Sequence, residues 1–288
     1  MWKYLNKGIS TPLAITIILV LAVLFGGSIY LQSKEMKDIK IELPEISFPQ
    51  RETPEEKKEA EEEEVEEEKP KVAIIIDDLG NNFETDKLIS DIDSSLSLAI
   101  LPHRENTIST AEYFSDLNRF QLMLHLPLEP INPEDAEEDM IMVDMSDSEI
   151  ELALESYLDQ LGSYIEGVNN HKGSKYTANG EKMRVLLEKI KDSNLFFVDS
   201  FTYKDSVAYE AAKEIGVKTG KRDVFLDNIN DESEIKKKLD ELIELAKEEG
   251  SAIAIGHSKP ITISVLKEQI PKFEEEGIEF VKVSEILE

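Results

Sequence analysis

Residues 72–80 read VAIIIDDLG, an apolar run followed directly by two carboxylates, Asp77 and Asp78, and closed by a glycine. A short apolar run that ends at a turn signal predicts a buried strand of a parallel sheet. In such sheets the carboxyl ends of the strands share one face, where α/β proteins assemble their sites. We therefore expect a strand here that delivers both acids to a functional face.

Similar apolar runs recur along the chain, and amphipathic stretches fill the gaps between them. The predicted strands are 72–76, 96–101, 120–124, 165–168, 195–198, 217–219, 223–226, 252–255 and 280–283. The predicted helices are 107–117, 146–164, 181–190, 207–215, 234–246 and 261–275, of which 146–164 opens with the capping box Ser146 and Glu149. This alternation predicts an α/β domain over 71–288, a distorted or incomplete (β/α) barrel rather than an open doubly wound sheet.

All four histidines of the chain follow apolar runs of this kind. They are His103 in LAILPHR, His125 in LMLHLPLEP, His171 in GVNNHKGS and His257 in IAIGHSKP. A single histidine in such a place is more often a structural loop residue. Their joint placement at strand ends, on the rim that carries the two acids, predicts a functional cluster.

One carboxylate with two imidazoles is a ligand set for a catalytic divalent metal ion, and we expect Asp78, His125 and His171 to form it. Zinc is the first choice, and cobalt, nickel, manganese or iron suit the same ligands. In an extended strand Asp77 and Asp78 point to opposite sides, so one can bind the metal while the other faces a water molecule. An isolated Asp-Asp pair would instead cap a turn. His257 is expected to be a general acid.

Other residues beside these strand ends are predicted to bind substrate or to orient the ligands. They are His103, Arg104, Glu129, Asn170 and Asp199. The candidate aromatic residues of a groove are Tyr176, Phe201 and Tyr203. No GxGxxG or P-loop motif occurs, so no nucleotide cofactor is expected.

Residues 13–31, LAITIILVLAVLFGGSIYL, carry no charged side chain and are long enough to cross a bilayer. Lys3 and Lys7 precede them, so the positive-inside rule places residues 1–12 in the cytoplasm and the folded domain outside. A cleaved signal peptide is the alternative, since Gly26, Gly27 and Ser28 are small enough for cleavage. The expected location is the cytoplasmic membrane, with a single span as the contact with lipid.

Composition restricts the remaining possibilities. The segment 51–70, RETPEEKKEAEEEEVEEEKP, makes 32–70 an acidic, disordered linker, although its glutamates could also bind a partner. The net charge of −29 disfavours nucleic acid as a partner. The chain has no cysteine, which excludes disulfides, thiolate catalysis and cysteine-bound zinc.

The motifs IIIDDLG, AILPHR, MLHLPLEP, GVNNHKGS, FFVDS, KRDVFLDN and AIAIGHSKP, in this order, resemble the divergent polysaccharide deacetylases, YibQ-like proteins with the NodB-type fold. The resemblance covers essentially all of 71–288. It implies a distorted barrel in which Asp78 and two histidines hold a metal ion, Asp77 is the base and His257 the acid. Typical deacetylases of this fold carry two ligand histidines four positions apart. Here that spacing joins His125 to Glu129, so the second imidazole is assigned to His171.

These observations predict an exported, membrane-tethered, metal-dependent hydrolase that removes acetyl groups from a cell-envelope polysaccharide or peptidoglycan. A catalytically inactive domain of the same fold that binds an envelope glycan or a protein is the alternative. A ferrous oxygenase would use the same ligand types, but the barrel-like order and the extra acid Asp77 argue against it.

Overall fold

The computed structural model describes residues 69–288. The predicted tail 1–12, the span 13–31 and the linker up to residue 68 lie outside the described residues. Within 69–288, every helix is too short or too polar to cross a membrane.

The strands form one sheet in which all paired neighbours run parallel. They are β1 (Lys71–Leu79), β2 (Ser97–Ile100), β3 (Gln121–Leu128), β4 (Gly167–Lys172), β5 (Phe196–Asp199), β6 (Thr219–Lys221), β7 (Val224–Phe225), β8 (Ser251–His257) and β9 (Glu279–Phe280). Their order is β6-β5-β4-β3-β2-β1-β8-β7, and β9 pairs with the beginning of β1. Each predicted strand therefore exists, although its ends differ.

Helices connect these strands. They are α1 (Phe83–Asp86), α2 (Thr107–Leu117), α3 (Asp147–Leu161), α4 (Gly180–Asp192), α5 (Ala208–Ile215), α6 (Glu232–Glu249) and α7 (Pro260–Glu275), with 3₁₀ turns at Lys87–Asp91, Pro133–Asp135 and Val283–Glu285. The capping box of Ser146 and Glu149 is confirmed at the start of α3. The short α1 has no counterpart among the predicted helices, because its four residues hold too few turns to show a period.

The two faces of the sheet are covered differently. Along β1, Val72, Ile74 and Ile76 belong to the core shared with the buried sides of α2 to α7. Ala73 and Ile75 belong to a second core in which no residue comes from α1 to α7, and which is closed by C-terminal residues such as Val281 and Val283. Helices on one face only, around a parallel sheet whose edge strands β6 and β7 are not paired with each other in residues 69–288, describe an incomplete barrel.

The predicted loops after two strands need correction. His125 and His171 lie within β3 and β4, not beyond them, because the two strands stay paired from Met123 and Gly167 to Leu128 and Lys172. Proline lacks the amide hydrogen for a strand ladder and is tolerated where one strand edge is open. This applies to Pro127, since the pairing of β3 with β2 ends at Ile100.

Gly167 provides a test of the packing inside the barrel. It lies directly opposite Phe196, and a Cβ atom added to it would stand 2.2 Å from the Phe196 ring. We expect Gly167→Ala to destabilise the protein by about 1–3 kcal/mol, because the ring must move within a filled core. Gly180→Ala is the matched control, since its Cβ would meet nothing closer than 3.8 Å. Denaturant unfolding of both variants measures the difference, and equal stabilities would contradict the packing described.

Candidate metal centre

The site forms because side chains alternate between the two faces of each strand, so that several polar ones share the inner face. On the side that points away from the helices, Ala73 and Ile75 of β1, Met123 of β3, and Ile253 and Ile255 of β8 belong to the second core. Toward the carboxyl ends of these strands and of β4, the residues on that side are polar. The polar ones are Asp77, His125, Asn169, His171 and His257. Strand pairing sets Asp77 beside His257 and His125 beside Asn169. The acids and the histidines therefore meet because they share one side of adjacent strands.

Asp78 departs from this alternation. Its backbone is left-handed, with φ of 65°, and the register of β1 against β2 shifts between Ile76 and Leu79. The expectation that Asp77 and Asp78 point to opposite sides is therefore wrong. Both approach Nε2 of His125, Asp77 through Oδ2 at 3.6 Å and Asp78 through Oδ1 at 3.3 Å. A left-handed residue that is not glycine is uncommon and is often found at functional sites.

The predicted metal ligands form a triangle. Oδ1 of Asp78 is 3.3 Å from Nε2 of His125 and 3.1 Å from Nδ1 of His171, and these two nitrogens are 3.1 Å apart. Atoms that bind one ion at about 2.0–2.2 Å lie about 3.3–3.6 Å apart in tetrahedral geometry and about 2.8–3.1 Å apart in octahedral geometry. Oδ1 of Asp78 is also buried without a hydrogen-bond partner. The donor set fits a divalent cation.

Asn169 fixes the tautomer of His125. Its amide nitrogen donates to Oδ1 of Asp77 at 2.8 Å and to Ser200 at 3.1 Å, so its oxygen faces Nδ1 of His125 at 3.0 Å. Nδ1 must therefore carry the hydrogen, which leaves the lone pair of Nε2 for the triangle. Burial acts to lower the pKa of His125, but the carboxylates of Asp77 and Asp78 raise it to about 9. A cation would take the place of that second proton.

Glu137 fixes the tautomer of His171 in the same way. Its Oε1 atom lies 3.2 Å from Nε2 of His171 and 2.6 Å from Nζ of Lys172, and its other oxygen accepts from the guanidinium of Arg104. Burial opposes ionisation, but Lys172 and His171 outweigh it and lower the pKa of Glu137 to about 2. Nε2 of His171 therefore donates to a carboxylate, and Nδ1 is left to bind metal.

Glu137 belongs to the segment between β3 and α3, residues 129–146, which we call the strap. The Ile141 backbone holds it against the end of β3, because its N–H donates to the Pro127 carbonyl at 3.0 Å and its carbonyl accepts from the Glu129 N–H at 3.1 Å. Nζ of Lys172 donates to its Asp135 carbonyl at 2.8 Å. Sequence reasoning missed Glu137 because several acids of the strap look alike and no periodicity marks the one that turns inward.

His257 forms a separate pair with Asp227. Its Nδ1 atom is 2.7 Å from Oδ1 of Asp227, whose other oxygen accepts from the His257 backbone at 3.0 Å and from Thr262 at 2.7 Å. Burial acts to lower the pKa of His257, but Asp227 outweighs it and raises that pKa. Nε2 of His257 then faces the triangle, 3.9 Å from Oδ2 of Asp78. Asp227 ends the run VFLD, so the rule that found Asp77 could have found it.

Three of the predicted supporting residues hold loops in place. His103 packs against Tyr157 of α3 and lies 3.3 Å from the Ser156 hydroxyl. Glu129 accepts from the Val143 backbone at 2.7 Å. Asp199 accepts from the Phe201 backbone at 2.8 Å and from the Ser206 hydroxyl at 2.7 Å.

The other two predicted supporting residues, Arg104 and Asn170, contact residues that surround the metal ligands. Arg104 reaches the centre through Glu137. Asn170 lines the cavity in front of the triangle, where its side chain accepts from the Ser200 backbone at 2.8 Å and donates to the carbonyl of Lys172 at 2.8 Å.

The cavity has a volume of about 380 Å³. It is lined by Asp77, Asp78, His125, Pro130, Asp135, Asn170, His171, Lys172, Ser174, Ser200, Thr202, Arg222, Phe225, Ile255 and His257. The predicted groove aromatics are absent from this lining, and Tyr176 is wholly buried in the core. Phe225 is the aromatic ring of the wall. A larger cleft, about 1130 Å³, lies around Lys69, Lys71 and Phe280 and contains none of the histidines.

Residues 74–287 match the family model for divergent polysaccharide deacetylases. The chain belongs to this family. It is 34% identical over 217 residues to the uncharacterized protein YibQ of Escherichia coli, covering 75% of this chain and 67% of that protein. It is 33% identical over 197 residues to an uncharacterized protein of Haemophilus influenzae, covering 68% and 70%. The predicted family is therefore confirmed.

A solved structure supports the fold of this family member. The crystal structure of an uncharacterized protein from Agrobacterium tumefaciens superimposes with a TM-score of 0.72 at 23% identity, covering 77% of this chain and 90% of that one. At this identity the likeness concerns the fold alone.

The role of Glu137 in metal binding can be tested directly. Glu137→Gln keeps the shape of the side chain but removes the charge that orients His171, and we expect zinc affinity to fall roughly tenfold to a hundredfold. Glu138→Gln, on the exposed side of the strap, should leave affinity unchanged. Competition with a chromophoric chelator measures both variants. Equal affinities would show that Glu137 does not support the centre.

Proposed function

We propose that the protein is a metal-dependent deacetylase that removes N- or O-acetyl groups from a cell-envelope polysaccharide or peptidoglycan. Family membership supports a hydrolase of the deacetylase type. The proposal of metal-dependent deacetylation rests on the triangle of Asp78, His125 and His171, whose sides are 3.1–3.3 Å. Buried Asp77 lies on one side of this triangle, and His257, paired with Asp227, lies on the other. An inactive glycan- or protein-binding domain of the same fold is the alternative, and measurements of zinc binding and acetate release distinguish the two.

Asp78, His125 and His171 would hold the ion, with zinc as the first choice and cobalt, nickel, manganese or iron compatible with the same donors. When bound, a divalent cation supplies polarisation of the acetyl carbonyl and lowers the pKa of a nearby water molecule. Asn169 and Glu137 each hold one nitrogen of an imidazole, at 3.0 and 3.2 Å, so that the other nitrogen is aimed at the ion.

Asp77 has the surroundings of a general base. It is 3% exposed, and burial raises the pKa of its carboxyl group, which makes it a stronger proton acceptor. Oδ1 is held by Asn169 at 2.8 Å, while Oδ2 remains on the side of the triangle. We assign to Asp77 the removal of a proton from the attacking water.

His257 has the surroundings of a general acid. Its Nδ1 hydrogen is held by Asp227, and Nε2 faces the cavity from the side opposite Asn169 and His171 in the strand order. The carboxylate of Asp227 favours the protonated imidazole. We assign to His257 the transfer of a proton from Nε2 to the departing nitrogen or oxygen of the sugar.

Substitutions separate these roles. Asp77→Asn should keep zinc while lowering acetate release by about 10²–10⁴, because the base is lost but the ligands remain. His257→Ala should behave alike, and Asp78→Asn should lose both zinc and turnover. His103→Ala is the control, because it lies outside the cavity lining. Metal content and acetate release from acetylated chitooligosaccharide and peptidoglycan are the measurements. Zinc binding without acetate release by the unaltered protein would favour the binding domain instead.

We also propose that residues 13–31 tether the domain outside the cytoplasmic membrane through the acidic linker. The uncharged run preceded by lysines supports this location. The protein should fractionate with membranes, and protease added to spheroplasts should cut near residues 61–68 and release the domain while a cytoplasmic marker stays intact. Recovery of the full-length protein in the soluble cytoplasmic fraction would refute the tether.

A further inference from the structure

Arg222 lies in the cavity wall, directly after β6, with its side chain held rigidly. Its Nε atom donates to the Ser200 carbonyl at 2.6 Å and its Nη2 atom to the Phe201 carbonyl at 2.8 Å. The guanidinium lies over the ring of Phe225, 4.6 Å from its centroid. Its orientation is therefore fixed before any ligand arrives.

These contacts leave half of the guanidinium available. Nε and one Nη2 hydrogen form one edge of the group, and both carbonyls lie along that edge. The neighbouring edge, formed by Nη1 and the second Nη2 hydrogen, has no acceptor within residues 69–288. A planar edge with two parallel donors matches a carboxylate or a phosphate.

Within residues 69–288, Arg222 also has no carboxylate partner, which is unusual in so acidic a chain. The other arginines in the described part contact acids: Arg104 with Glu137, Arg119 with Asp93, and Arg184 with Glu214. No carboxylate oxygen of residues 69–288 lies within 4.0 Å of Arg222, although the sequence holds 61 acidic residues against 32 basic ones.

Asp77, Asp199 and Asp223 are the acids whose charges act on Arg222, and each accepts hydrogen bonds from other groups. Asp77 accepts from the Asn169 side chain at 2.8 Å. Asp199 accepts from Phe201 and Ser206, and Asp223 accepts from the Ile253 backbone at 2.8 Å. The second cation of the wall, Lys172, is already neutralised by Glu137 at 2.6 Å. A half-buried cation costs desolvation energy unless an anion compensates it. Of the arginine and lysine side chains that line the cavity, Arg222 is thus the one without a hydrogen-bonded carboxylate within residues 69–288.

We propose that Arg222 binds an anionic group of the substrate, a carboxylate or a phosphate ester, carried close to the acetyl group that is removed. Arg222 lines the same cavity of about 380 Å³ as Asp77 and His257, so the two substrate groups belong to the same or adjacent sugars. The identity of the substrate as an acetylated sugar rests on the proposed function. The charge preference itself does not require turnover, so binding can test it separately.

The experiment compares ligands that differ in one anionic group. NMR titration of the full-length protein in detergent gives dissociation constants for the disaccharide of N-acetylglucosamine and N-acetylmuramic acid, and for its uncharged methyl ester. N-acetylglucosamine and its 6-phosphate form a second pair, which distinguishes a carboxylate from a phosphate preference. The variants are Arg222→Gln and, as a matched control with equal charge change, Arg184→Gln, whose side chain lies on the surface with Glu214.

The unaltered protein should bind the charged member of at least one pair roughly tenfold to a hundredfold more tightly than its neutral partner. Arg222→Gln should abolish that ratio with little change for the neutral ligand, and Arg184→Gln should preserve it. Arg222→Lys keeps the charge without the planar edge and should recover part of the ratio.

Two results would overturn the proposal. One is the absence of a charge preference in the unaltered protein. The other is equal weakening of charged and neutral ligands by Arg222→Gln, which would mean that Arg222 only supports the cavity or Asp77. Failure of the proposed hydrolysis would look different: the charge preference would persist while no acetate was released.

Discussion

Three acceptor atoms face one another at the open end of the incomplete barrel, and none of them carries a hydrogen that it could donate to the others. One imidazole donates its N–H to Asn169 and the other donates its N–H to Glu137. Nε2 of His125 and Nδ1 of His171 are therefore both acceptors, 3.1 Å apart. Oδ1 of Asp78 completes the set without a hydrogen bond. Such an arrangement is stable only around a positive charge, either a proton or a metal ion.

The surrounding structure holds this set in position. Strand pairing places His125, Asn169 and His171 on the inner side of β3 and β4, and the left-handed backbone at Asp78 turns its carboxylate to meet them. The strap carries Glu137 over the end of β4. Since each constraint acts on a different donor, losing one should weaken the centre without unfolding the domain.

Periodicity predicted the strands, the longer helices and the rim on which Asp77, Asp78, His125, His171 and His257 gather, because burial alone imposes those patterns. His103 lies outside the lining of the cavity. Periodicity could not predict the backbone turn at Asp78, which depends on the register against β2. Nor could it select Glu137 or Arg222, whose roles come from contacts across long sequence distances. Asp227 could have been predicted from the sequence, because it ends an apolar run as Asp77 does.

Anomalous diffraction from zinc-loaded crystals would locate the ion itself. We expect one strong peak at about 2.0–2.2 Å from Oδ1 of Asp78, Nε2 of His125 and Nδ1 of His171. A peak bound by other side chains would contradict it. So would crystals that lack a peak while the two imidazoles remain 3.1 Å apart and hydrogen-bonded to each other.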